Sequence, residues 1–167
     1  VCSSDLPWQN HARGTLMHHK DSIFQFSPEA LRNLFDQELA QKSFVAGQVL
    51  DWIYRKGETD FSKMSNLSKE LRARLDQRFE ASLPEVSGKQ KSSNGDTIKL
   101  RLKLRDGKEI ESVLMRERGK TTICISSQVG CAQGCLFCAT GTMGIVRNLK
   151  ASEMVGQILV FKKILGN

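Results

Sequence analysis

Residues 121–144 read TTICISSQVGCAQGCLFCATGTMG, a β-rich run that passes directly into three closely spaced cysteines. Cys131, Cys135 and Cys138 form a CxxxCxxC triad in a loop that also carries Gly130 and Gly134. Thiolates at this spacing can converge on three irons of a [4Fe–4S] cube, which ordinarily takes four. Three leave one iron open to a small molecule, and an open corner indicates redox chemistry rather than a structural role. Structural zinc needs four ligands, usually from two separated pairs, and no histidine lies after residue 19. Cys124 could serve as a fourth ligand, but it stands inside an alternating apolar run rather than in a knuckle. Disulfides are disfavoured because the surroundings do not resemble a secreted framework. Zinc and unligated cysteines stay open as the alternatives to a cluster.

Working outward, Thr121–Ser127 reads as a strand running into this loop, and Ser152 as the cap of a helix carrying Met154, Val155, Ile158, Leu159 and Leu165. Strand, loop and helix in that order form the opening unit of an α/β barrel, whose functional loops follow the C-terminal ends of strands. Upstream, Ile98, Leu100, Leu102 and Leu104 alternate with Lys99, Arg101, Lys103 and Arg105. This period of two predicts a strand with one apolar and one basic face. Asp106-Gly107 marks a hairpin turn, with a return strand over about Glu109–Met115. Residues 82–96, rich in Pro, Gly, Ser and Asn, are expected as a loop and domain boundary.

Before that boundary the period is helical. Ser27-Pro28-Glu29 predicts an N-cap and first turn, with Leu31, Leu34 and Phe35 as the apolar stripe. A second helix is expected over about Val45–Lys56, closed by Gly57, and a third after Ser68 with Leu67, Leu71, Leu75 and Phe79 in one row. Residues 1–22 hold all three histidines (His11, His18 and His19) and show no period. Val1–Leu6 lacks the features of a signal peptide and matches the translation of a common sequencing adaptor, so an artefactual start is expected. The expected domains are a leader over 1–22, a helical domain over 23–92, a β-hairpin region over 93–118 and the start of a barrel over 119–167. The fold class is thus α/β, with an incomplete barrel.

In bulk, the 167 residues are 40% hydrophobic and 26% charged, with a formal net charge of +7. That is an ordinary globular composition, without the roughly 20-residue apolar run a spanning helix needs. The basic balance points to a polyanionic partner, of which nucleic acid is the commonest. A row of four cations, Lys99, Arg101, Lys103 and Arg105, could track a phosphate backbone, although a merely solvated face explains the same residues. Lys69, Arg72, Arg74 and Arg78 on the third helix are weaker candidates of the same kind.

Phe137, just before the last cysteine of the triad, follows the pattern of radical S-adenosylmethionine (SAM) enzymes. The successive runs GQVLDWIYRKGETDFSKMSNLSKELRARL, DTIKLRLKLRDGKEIESVLM and ICISSQVGCAQGCLFCATGTMG together resemble the RlmN/Cfr family of radical SAM rRNA adenine methyltransferases. The resemblance covers about residues 25–167 and implies an N-terminal fragment of such an enzyme. It implies a [4Fe–4S] cluster held by Cys131, Cys135 and Cys138, and SAM as co-substrate. It also implies Glu111 as a general base and Cys124 as the thiol that resolves a protein–RNA intermediate through a disulfide. RlmN-type members methylate C2 of adenosine in 23S rRNA and in tRNA; Cfr-type members methylate C8. ATGTMG departs from the commoner bacterial form of that stretch, which leaves the substrate more open than the chemistry. Other implied features are an electron donor such as flavodoxin or ferredoxin, a monomer with no membrane association, and a cytoplasmic location, organellar in a plant or alga. A non-catalytic zinc- or RNA-binding module is the alternative from another class.

Overall fold

The computed structural model describes residues 20–131, 133 and 144–166. The helical segment follows its local signals. α1 (Pro28–Gln37) opens under Ser27, whose Oγ accepts the Ala30 N–H at 3.1 Å, and it buries Leu31, Leu34 and Phe35. α2 (Ser43–Leu50) runs without a break into a π-helical turn, Asp51–Arg55. The expected second helix therefore starts two residues early and widens in its final turn. Gly57, at φ 69°, ends it in the left-handed conformation that glycine adopts without a Cβ penalty. α3 (Lys69–Arg78) is capped by Ser68 Oγ on the Leu71 N–H.

Phe79, expected on the third helix, is instead extended. It lies in a two-residue strand, β2 (Phe79–Glu80), that pairs in parallel with β1 (Asp21–Ser22). Asp21 and Ser22, expected as the end of a leader, are thus part of the fold. Residues 1–19, including Cys2 and the three histidines, lie outside the described residues.

The second half is built on a four-stranded antiparallel sheet in the order β3 (Glu85–Lys91), β4 (Thr97–Lys103), β5 (Glu109–Glu117), β6 (Lys120–Cys124). The β4–β5 hairpin is the one the alternation predicts, paired from Lys103↔Glu109 to Thr97↔Met115 around Asp106-Gly107. β3 occupies residues expected as loop. EVSGKQK has no apolar alternation and is exposed along almost its whole length, because an edge strand can be held by backbone pairing to β4 alone. β6 corrects a second expectation. The run predicted to open a parallel barrel pairs antiparallel with β5, and the strand–loop–helix unit contains an extra hairpin, β7 (Gln128–Gly130) with β8 (Ile145–Asn148).

The final helix, α4 (Ala151–Leu165), lies across the apolar face of the sheet. Its cap is at Lys150, whose N–H donates to Glu153 Oε2 at 2.8 Å. Ser152, expected as the cap, sits inside the first turn, because Glu153 three residues after Lys150 supplies the acceptor of a capping box. Val160 and Phe161 pack with Leu100, Leu102 and Leu114 of the sheet, while Leu159 joins the cluster formed by the helices. Ile158, expected on the apolar stripe, is exposed. A Cβ at Gly156 would stand 2.7 Å from Pro84 Cδ, so α4 also packs closely on the segment between β2 and β3.

Candidate functional site

Side chains alternate across a strand, so burying Ile98, Leu100 and Leu102 turns Lys99, Arg101 and Lys103 to the outer face of the sheet. On β5 the same face carries Glu109, Glu111 and Val113. The register places Arg101 opposite Glu111 and Val113 opposite Cys124. Cys124 is therefore on the outer face as well, one diagonal step from Glu111, a separation of about 7–8 Å or less between Cβ atoms. Its thiol is exposed and free. An apolar-looking strand would bury a cysteine, but β6 is an edge and Cys124 falls on its uncovered side. Cys131 is also a free thiol, so the disulfide implied for Cys124 is not formed among the described residues.

The basic row is less free than its sequence suggests. Lys99 Nζ lies 3.0 Å from Glu111 Oε1, and Arg101 Nε lies 3.6 Å from Glu109 Oε1. Arg105 lies beyond the end of β4 and pairs with Glu80. Among the described residues only Lys103 of the four has no ion-pair partner. Exposed pairs of this kind contribute about 0–1 kcal/mol, so an incoming phosphate can displace them. The cations of α3 are engaged structurally. Arg72 donates to the Ser62 carbonyl, Arg74 to the carbonyls of Leu39 and Glu38, and Arg78 pairs with Asp21 and Glu38. Of that weaker group, Lys69 alone shows no such tie among the described residues.

Four residues beyond Cys124 the chain enters the base of the cysteine loop. β7 and β8 close that base, with Val129 opposite Arg147 and Gly130 opposite Ile145. Gly130 has φ 76°, and a Cβ on it would overlap the carbonyl oxygen of Gly144. That carbonyl instead accepts the Cys131 N–H at 3.0 Å. Cys131 is half-buried, and the Gln133 N–H points at its Sγ from 3.5 Å, an arrangement that suits a thiolate acceptor. Cys135 and Cys138 lie outside the described residues. The donor set of three thiolates, with one of them held at a glycine-tight turn and hydrogen-bonded at sulfur, fits an iron–sulfur cluster.

Two interactions that the sequence did not announce hold this base in place. Arg147 on β8 makes a bidentate pair with Glu153 at 2.7 and 2.8 Å and reaches Asp106 in the β4–β5 turn at 2.8 Å. The hydrogen bonds to Glu153 raise the Arg147 pKa above its ordinary range, and those from Arg147 hold Glu153 below its usual 4.5 against the opposing effect of burial. Gln157 of α4, fully buried, accepts from Ser112 Oγ at 2.6 Å and from the Ser126 N–H at 2.8 Å, and donates to the Ser126 carbonyl at 2.9 Å. A lone glutamine inside MVGQILVF was the available signal. A groove of about 880 Å³ between the two halves is lined by side chains of both signs, among them Lys103, Arg147 and Glu80, but not by Glu111, Cys124 or Cys131. The candidate site is therefore the open sheet face and the adjoining loop, not this groove.

Residues 22–81 match a family described as ribosomal RNA large subunit methyltransferase N-terminal domain. Among solved structures, a radical SAM methyltransferase from Sphaerobacter thermophilus matches with a TM-score of 0.78 at 35% identity, over 88% of this chain and 44% of that one. The chain thus spans less than half the length of that protein.

Proposed function

The chain belongs to the RlmN-like family, and on that premise we propose that the protein is a radical SAM methyltransferase acting on C2 of an adenosine in large-subunit ribosomal RNA, and also on tRNA. The observation that supports this most is the placement of Glu111 and Cys124. They are thirteen residues apart in sequence, yet they share one face of the β5–β6 pair, immediately before the loop that carries the triad.

Cys131, Cys135 and Cys138 would hold a [4Fe–4S] cluster. With SAM bound, that cluster supplies the radical reactivity which an adenine C–H, neither acidic nor electrophilic enough for ordinary methyl transfer, requires. The chain's own residues would do the rest. Glu111, a carboxylate at an open face, removes the ring proton once the base is within hydrogen-bond reach. Lys99, 3.0 Å away, pairs with that carboxylate until RNA phosphate displaces it. Cys124 presents a free thiol one step along the sheet, where it resolves the covalent protein–RNA species. Arg101 and Lys103, with Lys99 and Arg105, meet phosphates of RNA deformed so that the target base leaves its stack. An electron donor of the flavodoxin or ferredoxin kind and a cytoplasmic or organellar location belong to the same proposal.

The test uses the intact protein, purified anaerobically. Iron and sulfide should load in stoichiometric amounts and be lost in Cys135→Ala. Cys124→Ala should keep its iron and accumulate an RNA adduct instead of releasing methylated adenosine. Product analysis separates C2 from C8 methylation. Stoichiometric zinc in place of iron would mean a binding module instead, and normal product yield from Cys124→Ala would remove the role given to that thiol.

A further inference from the structure

We infer that Gln157 is a positioning residue: acting through Ser126, it fixes Glu111, Cys124 and the base of the cysteine loop relative to one another. The inference rests on the roles proposed for Glu111 and Cys124.

β6 ends at Cys124 and β7 begins at Gln128, so the intervening three residues have no strand partner. A backbone amide at this depth needs one. The Gln157 side chain takes the place of the missing strand, because its Oε1 accepts the Ser126 N–H and its Nε2 donates to the Ser126 carbonyl. Nε2 is also 3.3 Å from the Glu153 carbonyl, and Oε1 accepts the Ser112 hydroxyl. The amide is satisfied on every side. Burying such a group is favourable only when its hydrogen bonds are complete. A leucine would cover the sheet as well, so what the amide specifies is the location of Ser126.

Ser126 is the point where the site's parts meet. It is two residues after Cys124 and five before Cys131. Its Oγ donates to the Glu111 carbonyl at 2.7 Å. The N–H, carbonyl and hydroxyl of one residue are therefore all held, two by α4 and one by the strand bearing Glu111. A displacement of Ser126 would move the base, the thiol and the first cluster ligand relative to each other. Gln157 itself lies on the covered side of the sheet and does not touch the face where RNA would bind.

The test reads local order and catalysis separately. Site-resolved hydrogen exchange on the unloaded protein should show the Ser126 amide exchanging at least about tenfold faster in Gln157→Leu, the change expected when one hydrogen bond is removed, with the Leu100 and Leu114 amides unchanged. In the intact, loaded protein, kcat should fall by about a hundredfold, as misplacement by roughly an ångström does, with KM for RNA unaltered. Gln157→Glu keeps the acceptor and loses the donor, and should recover part of the protection at Ser126. If Gln157→Leu fails to fold, Ser126→Ala decides the matter. It removes only the hydroxyl bond to Glu111 and should lower kcat about tenfold, with Ser126→Thr restoring it. Unchanged exchange at Ser126, exchange rising equally across the sheet, or KM rising with kcat unaltered would each overturn the inference. The exchange measurement does not need methyl transfer, so an inactive wild-type protein would sink the functional proposal alone.

Discussion

Gly130 shows how much of the site hangs on single backbone positions. Its φ of 76° and the Gly144 carbonyl against its missing Cβ leave no room for another residue, and a non-glycine held there carries a strain of about 1–3 kcal/mol before any overlap. Gly130→Ala should therefore abolish iron loading in the reconstituted protein while far-UV circular dichroism stays close to wild type. Full iron content in that variant would show that the turn is not required. The cysteine spacing and Gly130 were legible in the sequence because both are local chemical signals. The exposure of Cys124 was not, since an alternating run says which residues share a face but not which face is covered. Ser126 and Gln157 escaped for the opposite reason: each matters through partners distant in sequence, Ser126 through Glu111 and Gln157, and Gln157 through Ser112 and Ser126.

At the scale of elements, the outer face of β4 and the N-terminus of α4 make separate demands. Replacing Arg101 and Lys103 together by Ala should weaken RNA binding and reduce the slope of log K against log salt by about 0.7–0.9 for each phosphate no longer neutralised. The change in stability should stay within about 0.5 kcal/mol, because the one ion pair removed is exposed. Equal affinity and slope in the double variant would mean the row is only solvated. At α4, Glu153 has its carboxyl pKa depressed by Arg147. A group lowered in the folded state contributes stability above its unfolded pKa and loses it as pH falls through the folded one. The protein should thus keep its stability from neutrality down to near pH 4.5 and lose part of it below. Glu153→Gln should flatten that acid limb in urea titrations, and an unchanged pH profile would remove Glu153 from the linkage. Helix starts at Ser27 and Ser68 could be read directly, because a capping hydroxyl is a local device. β3 could not, because its residues are held by backbone pairing and bury almost nothing.

For the molecule as a whole, α4 is the element the two halves share. Leu159 enters the helical cluster, and Val160 and Phe161 enter the sheet cluster. Phe161→Ala should cost about 3–5 kcal/mol and lower the urea midpoints of both halves together. Trp52 emission, in a Trp8→Phe background, and sheet amide exchange follow the two separately; midpoints that part company would show the halves to be independent. The α/β class was visible from the change of period near residue 96, whereas the antiparallel placement of β6 was not, because a strand's sequence does not name its partner. The shared helix also bears on how the protein is made. Synthesis runs from the N-terminus, and domains generally fold as they emerge. Residues 28–78 would leave the ribosome with Leu159 still unsynthesised, so their core waits with one wall open until the triad cysteines have already been translated. Arrested nascent chains in which Lys150 is the last residue outside the ribosome should stay protease-sensitive over 28–78, and those that expose the whole of α4 should not. Co-translational folding would then close around cysteines already present, and the emergence of α4 would set its timing.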